Sequence, residues 1–454
     1  MIRTALAATA LLAATPALSQ STTQDEIDAR YERALAAGYK ALFLCGALSS
    51  SETFGVPRSV DSVEEWELTG IQAPLDAIVP ELKYEIFRTR GGAGVLSRVE
   101  VKWADDMPNR IAWHREEGGC SLSEIGEASP SRPETLPMFP EQGMVLYHSR
   151  INPPALQRVF GGAMLTNYGE GTRTTAISMS VNGRQYWQYR EPFTAYTPQR
   201  TWSVAKSIAV TLVGAAVYRG EADVNASAGL GLDADDPRRS ITIDHLLRMA
   251  SGRYSDTPGN RTDPLYFGGG SVSETAMYWP LVHPPGSVYR YANNDTLAAV
   301  ATIKDTFEFH PPRAFFNRVG MSSTIAETDL AGDYILSSQV WATAPDLLKL
   351  GQLYLNDGVL PDGTRILPEG WVEYVSAPSG PQPDGPFGYG AGFWLFNKSE
   401  GIPPDTFAAM GNRGQFIVIV PSLNVVIVRR GEDPAGSRFD IAGFTRDVLE
   451  SLAE

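Results

Sequence analysis

A serine and a lysine three residues apart, Ser203 and Lys206, precede an almost wholly apolar run from Ile208 to Val217. Residues three apart share one face of a helix, so the Lys206 amine can reach the Ser203 hydroxyl and take its proton. The apolar run predicts a helix buried on every side. Burial lowers the pKa of a lysine, and the neutral amine is then available as a base near pH 7. The pair therefore predicts a serine nucleophile with a lysine base.

Ser-x-x-Lys alone is a weak signal, because a serine near a helix N-terminus with a lysine in its first turns is also an ordinary structural arrangement. A second candidate, Tyr291-Ala292-Asn293, follows Pro284-Pro285-Gly286 in a predicted loop that opens a helix. Tyr291 could relay a proton, and Asn293 could hold a substrate carbonyl or orient Lys206. Tyr354-Leu355-Asn356 repeats this pattern inside a predicted amphipathic helix, which favours a structural role.

Composition excludes several classes of function. The net charge is −14, with 38 Lys and Arg against 52 Asp and Glu, and the charges are scattered. A phosphate-binding face needs clustered cations, so we expect no nucleic-acid partner. The five histidines show no metal-ligand spacing with each other or with either cysteine, and we therefore expect no metal. A serine hydrolase also implies no organic cofactor. No Gly-x-Ser-x-Gly pentapeptide is present, although a histidine base assembled from a distant position stays open.

The first residues predict export. Arg3, the apolar run Ala5 to Ala14 and the small residues near Ser19 are typical of a secretory signal over residues 1–20. No later segment reaches spanning length free of charge, so we expect a periplasmic or secreted protein without a membrane span in the mature chain. Retention of the uncleaved signal as an anchor is the alternative. Cys45 and Cys120 are the two cysteines. In an oxidising compartment they predict one disulfide, with two free buried thiols as the alternative.

Patterning predicts two folded units. Residues 22–125 read as a small α+β unit, with a helix of about 18 residues near its start and a hairpin between Leu96 and Cys120. Four prolines in residues 126–142 predict a linker. The second unit, residues 143–454, has hairpin strands near both of its ends, the first turning at Asn182-Gly183. Strands at both ends with helices between them predict an antiparallel sheet with an inserted helical lobe, an α+β fold.

The motifs of the second unit resemble those of the penicillin-recognising serine hydrolases, which comprise class C β-lactamases, D-alanyl-D-alanine peptidases, related esterases and 6-aminohexanoate-oligomer hydrolases. The resemblance covers about residues 160–435. It rests on five motifs in family order. They are Ser203-x-x-Lys206, His245 to Gly252, Pro285-Gly286 leading to Tyr291-Ala292-Asn293, Ala342 to Leu347, and Gly411-Asn412-Arg413-Gly414-Gln415 before an apolar strand.

The resemblance implies a β-lactamase/transpeptidase-like catalytic domain and a role for each matching residue. Ser203 would be the nucleophile and Lys206 its base, while Tyr291 would relay the proton that frees the leaving group. Asn293 would face the substrate. The backbone N–H groups of Ser203 and Gln415 would form the oxyanion hole, with Gln415 on an edge strand.

The third motif departs from the family pattern. Asn412-Arg413-Gly414 stands where many relatives have Lys or His, then Thr or Ser, then Gly. The missing cation weakens the case for recognition of a β-lactam or D-alanyl carboxylate. Arg413 could replace it only by pointing inward, and the alternative is an Arg on the solvent face of an edge strand. Substrate binding is accordingly predicted for Asn412, Arg413 and Gly414 together with Asn293.

These observations predict an exported serine hydrolase that cleaves an amide or ester of a small to medium substrate through an acyl-enzyme. A β-lactamase or D-alanyl-D-alanine carboxypeptidase is the alternative within the same family. From a different class, the chain could be a binding or sensor protein that retains the pocket without turnover. Intact Ser203, Lys206 and Tyr291 argue against that reading. The oligomeric state is left open.

Overall fold

A computed structural model describes residues 24–89, 94–115, 119–128, 153–255 and 262–453. The predicted signal peptide and most of the predicted linker lie outside these residues. Within the described ranges, no helix combines the length and the apolar character needed to cross a bilayer.

The N-terminal region pairs one long helix with a small sheet. Helix α1 spans Gln24–Thr53, much longer than the predicted 18 residues. Two short helices follow, α2 (Val60–Trp66) and α3 (Leu75–Ile78). The predicted hairpin is part of a four-stranded antiparallel sheet in the order β1-β2-β3-β4. Its strands are β1 (Tyr84–Arg88), β2 (Leu96–Val101), β3 (Arg110–Arg115) and β4 (Gly119–Leu122).

Helix α1 is buried on every side from Ala34 to Ser51, so it does not show the one-sided pattern of a surface helix. Two glycines allow close packing. A Cβ on Gly38 would lie 2.0 Å from the Phe267 carbonyl oxygen, and one on Gly46 would lie 2.6 Å from the Trp341 ring. Residues of α1 and of the later region belong to one hydrophobic core. The residues on the two sides of the predicted boundary at 126–142 therefore share one hydrophobic core.

The predicted disulfide is present. Cys45 on α1 is bonded to Cys120 on β4, and the two are separated by 75 residues in the sequence. In the chain-entropy description, closing a loop of this length stabilises the folded state by about 4 kcal/mol. The bond ties the long helix to the sheet that covers it.

The second region is built on a seven-stranded antiparallel sheet in the order β10-β11-β12-β13-β14-β5-β6. Strands β5 (Thr174–Val181) and β6 (Arg184–Tyr189) form the predicted hairpin through Asn182 and Gly183, both with positive φ. The remaining five strands come from the C-terminal part of the chain, as predicted. They are β10 (Gly388–Tyr389), β11 (Trp394–Leu395), β12 (Phe407–Gly411), β13 (Gln415–Val420) and β14 (Val425–Gly431).

Helices cover both faces of this sheet. Helices α4 (Pro154–Met164) and α13 (Ile441–Ser451) pack together and share a core with one face. Helix α11 (Ala344–Leu355) packs on the other face, against β13, β14 and β5. A three-stranded sheet in the order β7-β9-β8 lies nearby. Its strands are β7 (Gln199–Arg200), β8 (Ile325–Ala326) and β9 (Val340–Ala342).

The predicted apolar helix is α5, which spans Val204–Tyr218 and is buried over its first thirteen residues. It packs against α9 (Asn293–Ala301), β12 and β13. The other helices of the inserted lobe are short. They are α6 (Ile243–Leu247), α7 (Asp263–Tyr266), α8 (Val272–Met277), α10 (Pro312–Val319) and α12 (Trp371–Ser376).

Candidate active site

Ser203 lies immediately before α5, at the end of a sharp turn. Trp202, the preceding residue, has φ of +50°, a left-handed conformation that costs about 1–3 kcal/mol for a residue with a bulky side chain. The Arg200 guanidinium holds the turn from one side, since it lies 4.4 Å from the Trp202 ring and 4.8 Å from the Phe43 ring of α1. The N-terminal helix thus helps to fix the backbone that presents Ser203.

Lys206 is almost completely buried, with 1% of its surface exposed. Its Nζ lies 3.0 Å from Ser203 Oγ, 2.6 Å from Asn293 Oδ1 and 2.8 Å from the Ser337 carbonyl oxygen. None of these partners carries a negative charge. Burial consequently lowers the pKa of Lys206 to about 7.

The neutral amine has two N–H donors and one lone pair. The two carbonyl oxygens, from Asn293 and Ser337, can only accept a hydrogen bond. The Ser203 hydroxyl is the one partner of the three that can donate. In its neutral form, Lys206 therefore directs its lone pair at the Ser203 proton, which is the geometry that general-base activation requires.

Tyr291 lies on the loop that precedes α9, beside the same pair. It lines the cleft together with Ser203, and its ring centroid is 5.1 Å from Lys206 Nζ. Burial raises the pKa of Tyr291, while the neighbouring Ser203 side chain lowers it. The phenol stays protonated at neutral pH, so it can pass a proton but does not hold a permanent negative charge.

Asn293 lines the cleft, but its amide is engaged within the protein. Its oxygen accepts from Lys206, and its Nδ2 donates to Thr262 Oγ1 at 3.0 Å. Of the two roles considered for Asn293, this geometry fits the orientation of Lys206 better than the holding of a substrate carbonyl.

The end of β12 forms the wall next to Ser203. Gly411 approaches so closely that a Cβ there would lie 2.4 Å from the Thr201 carbonyl oxygen and 3.1 Å from the Ser203 nitrogen. Strand β11 begins at Trp394, which is paired with Ala408. Among the described residues, no strand is therefore paired on that side with the β12 backbone beyond Ala408. Backbone N–H groups at the end of β12 are therefore candidates for an oxyanion hole shared with Ser203.

The prediction that Gln415 lies on an edge strand is wrong. Strand β13 is interior, between β12 and β14. The Gln415 side chain is fully buried and accepts a hydrogen bond from Arg430 Nε at 2.5 Å. The cleft is lined by Gly411 and Asn412 rather than by Gln415. On this wall of the cleft, the backbone beside Ser203 is therefore that of the end of β12 and not that of the start of β13.

Neither orientation predicted for Arg413 is correct, since it points neither into the cleft nor to solvent. Only 5% of the residue is exposed. Its Nε donates to Glu432 Oε2 at 2.8 Å, and its Nη2 donates to the carbonyl oxygens of Trp66 and Thr69 at 2.8 and 2.9 Å. A left-handed backbone, with φ of +55°, carries the side chain toward these partners.

The two neighbours of Arg413 differ from each other. Gly414 is buried away from the cleft, where a Cβ would collide with Arg429 Nη1 at 1.6 Å. Asn412 lines the cleft, and its Oδ1 accepts from the Arg413 backbone nitrogen. Of the predicted substrate-binding residues in this motif, only Asn412 is therefore in a position to meet a substrate.

The cleft has a volume of about 580 Å³. Six of its fourteen lining residues are aromatic, a feature that the sequence motifs do not reveal because the rings come from distant segments. The aromatic lining residues are Trp202, Tyr266, Phe267, Tyr291, Phe387 and Trp394. One polar lining residue, Gln72, comes from the N-terminal region, and no local sequence signal marked it.

Tyr354, which shares the Tyr-x-Asn pattern, has a structural environment, as predicted. It lies in α11, is buried, and its hydroxyl is hydrogen-bonded to Thr211 Oγ1 at 2.8 Å. It does not line the cleft. In the described ranges, no group of three or more His, Cys, Asp or Glu residues could hold a metal ion.

Comparison with known proteins gives a consistent family. Residues 160–430 match the family model described as beta-lactamase. A solved structure from Bacillus anthracis, assigned as a 6-aminohexanoate-dimer hydrolase, is 20% identical with a TM-score of 0.53, and the match covers 68% of this chain and 87% of that one. A structure from Bacteroides dorei DSM 17855, assigned as a beta-lactamase, is 18% identical with a TM-score of 0.53, covering 66% and 99%. At these identities the likeness concerns the fold alone. A search of curated proteins found no significant match.

Proposed function

The chain belongs to the β-lactamase family of serine hydrolases, and from this premise we propose that it is an exported hydrolase that cleaves an amide or ester through an acyl-enzyme on Ser203. The observation that carries the proposal is the buried Lys206 amine, which lies 3.0 Å from Ser203 Oγ and whose hydrogen-bond partners among the described residues are all uncharged. An amine with a pKa of about 7 is half neutral at physiological pH, so it can act as the base.

The proposed reaction has two halves. In acylation, Lys206 takes the Ser203 proton, Ser203 Oγ attacks the substrate carbonyl, and backbone N–H groups of Ser203 and the end of β12 stabilise the oxyanion. Tyr291 passes the proton to the leaving amine or alcohol. In deacylation, a water molecule adds to the acyl carbonyl and gives its proton to Lys206 and Tyr291. This proton then passes to Ser203 Oγ as the ester bond to Ser203 breaks and the acid product leaves.

The lining of the cleft supports an uncharged substrate with an apolar body. Six aromatic residues line it, whereas none of the described lining residues is Lys or Arg and the only carboxylate among them is that of Asp263. Carboxylate recognition, as needed for penicillins or D-alanyl peptides, would call for a cation, and Arg413 is occupied by Glu432. These features favour neutral amides and esters over β-lactams.

Export is supported by the disulfide between Cys45 and Cys120, because such bonds persist in oxidising compartments. The corresponding test is mass spectrometry of the protein recovered from its native compartment. The mature N-terminus is expected near Gln20, with both cysteines oxidised.

A labelling experiment tests the chemistry. The mature protein is treated with a fluorophosphonate probe and, separately, with a fluorescent penicillin, and the Ser203→Ala variant serves as the blank. We expect fluorophosphonate labelling that depends on Ser203, with little or no penicillin labelling. Strong penicillin labelling would favour a β-lactamase or carboxypeptidase. If neither reagent labels the wild type and p-nitrophenyl esters stay intact, the chain is a binding protein.

A further inference from the structure

The segment from Trp66 to Gln72, here called the 66–72 segment, belongs to the N-terminal region but is held by the catalytic region. Arg413 donates to its carbonyl oxygens at Trp66 and Thr69. Arg173 lies 4.2 Å from the Trp66 ring and donates to the Thr69 hydroxyl at 2.8 Å. The Gly70 carbonyl oxygen accepts from the Ala435 nitrogen at 2.7 Å. The segment therefore keeps a fixed position relative to the catalytic residues.

Gln72, the last residue of this segment, lines the cleft together with Ser203 and Tyr291. Its backbone is anchored by two buried neighbours, Ile71 and Leu75, each 4% exposed. Gln72 itself is partly exposed. Its side-chain amide makes no hydrogen bond to any residue in the described part of the chain, whereas the Asn293 amide is hydrogen-bonded at both its oxygen and its nitrogen. Gln72 thus offers both a donor and an acceptor to a bound molecule.

Arg413 is linked both to the position of the 66–72 segment and to the charge of the cleft. An arginine at this position could have supplied a cation to the cleft, but its guanidinium is paired with Glu432 and bound to the 66–72 segment. The consequence is that the cleft receives a neutral amide in place of a positive charge.

We infer that Gln72 is a specificity-determining residue, which hydrogen-bonds an uncharged polar group of the substrate, such as a second amide, away from the bond that is cleaved. The inference rests on the proposed function, since it names the substrate class of the same site. A site that hydrogen-bonds a polar group discriminates against an analogue that lacks it, because the protein group then stays unpaired.

Two matched pairs of substrates test the role of Gln72. In the first pair, p-nitrophenyl N-acetyl-6-aminohexanoate is compared with p-nitrophenyl nonanoate, which has the same chain length without the amide. In the second pair, the amide lies in the leaving alcohol. We expect the wild type to favour the amide member of at least one pair. Gln72→Ala should lower kcat/KM for that member about tenfold, as for the loss of one hydrogen bond, and leave the apolar member unchanged.

The controls separate this inference from the proposed function. Gln157→Ala, an exposed glutamine on α4, should change neither member, and thermal unfolding checks that each variant is folded. The fluorophosphonate labelling rate of Ser203 should be the same in Gln72→Ala as in the wild type. The role of Gln72 would be overturned if Gln72→Ala lowered kcat/KM equally for both members of a pair, or if the wild type preferred neither member in both pairs. In either case, normal labelling of Ser203 would leave the proposed function intact. Absent labelling of the wild type would instead overturn the proposed function.

Discussion

Two buried cations flank the candidate active site, Lys206 on α5 and Arg413 on the turn after β12, and their surroundings differ. In the described part of the chain, Lys206 meets neutral oxygens, from Ser203, Asn293 and Ser337. Arg413 meets the carboxylate of Glu432, and both side chains of that pair are less than 5% exposed. A buried cation without a counterion gives up its proton readily, whereas one with a counterion keeps its charge and becomes part of the framework. Burial of a basic side chain therefore does not by itself indicate a catalytic role.

The largest effect should come from removing the unpaired cation. Lys206→Ala should slow acylation of Ser203 about 10⁴-fold or more, because the nucleophile loses its base. The measurement is the rate of fluorophosphonate labelling followed by intact mass. Lys398→Ala, on the exposed surface, is the matched control. A Lys206→Ala protein that is labelled at a near wild-type rate would eliminate Lys206 as the base.

Removing the paired cation should instead affect stability. Arg413→Ala leaves Glu432 buried without its partner, so the free energy of unfolding should fall by about 3–5 kcal/mol. Urea unfolding measures this change. Arg30→Ala removes an exposed ion pair with Asp106, whose side chains are 49% and 69% exposed, and should cost less than about 1 kcal/mol. If both variants lost the same small amount, Arg413 would not be a structural cation.

Tyr291→Phe tests the proton relay. Loss of the hydroxyl should lower kcat about 10²–10³-fold, since general acid–base catalysis contributes at this level. Tyr354→Phe is the matched control, because it removes the hydroxyl from the other Tyr-x-Asn pattern and should leave kcat unchanged. Equal kcat values for the two variants would contradict the role of Tyr291.

We expect the smallest effect from removing the disulfide of the N-terminal region. Replacing Cys45 and Cys120 by serine should lower the free energy of unfolding by about 2–4 kcal/mol. The labelling rate of Ser203 should not change under conditions in which both proteins are folded, because neither cysteine lines the cleft. A slower labelling rate in the folded variant would show that the disulfide acts on the site as well as on stability.

The helical side of the site was predictable because its information is local. Ser203 and Lys206 share a helix face by their spacing, and the order of the motifs placed Tyr291 with them. The disulfide was predictable because the chain has only two cysteines. The β5–β6 hairpin followed from Asn182 and Gly183, whose backbones tolerate positive φ.

The other side of the site depends on contacts between distant segments. The direction of Arg413 is set by Glu432 and by the carbonyl oxygens of Trp66 and Thr69, more than 340 residues away for the latter two. Gln72 lies on the segment that this contact helps to hold against the catalytic region. The length of α1 escaped prediction because a helix buried on all sides has no periodic polar face.

The pH dependence of Ser203 labelling shows whether Ser203 is activated by a lysine that is neutral near pH 7. Burial lowers the pKa of Lys206 to about 7, so the base is protonated and inactive below this pH and neutral above it. The labelling rate with an uncharged fluorophosphonate should rise with pH, reach half its maximum near pH 7 and then level off. A rate that stays constant from pH 5.5 to 8.5, or that begins to rise only above pH 9, would contradict the account.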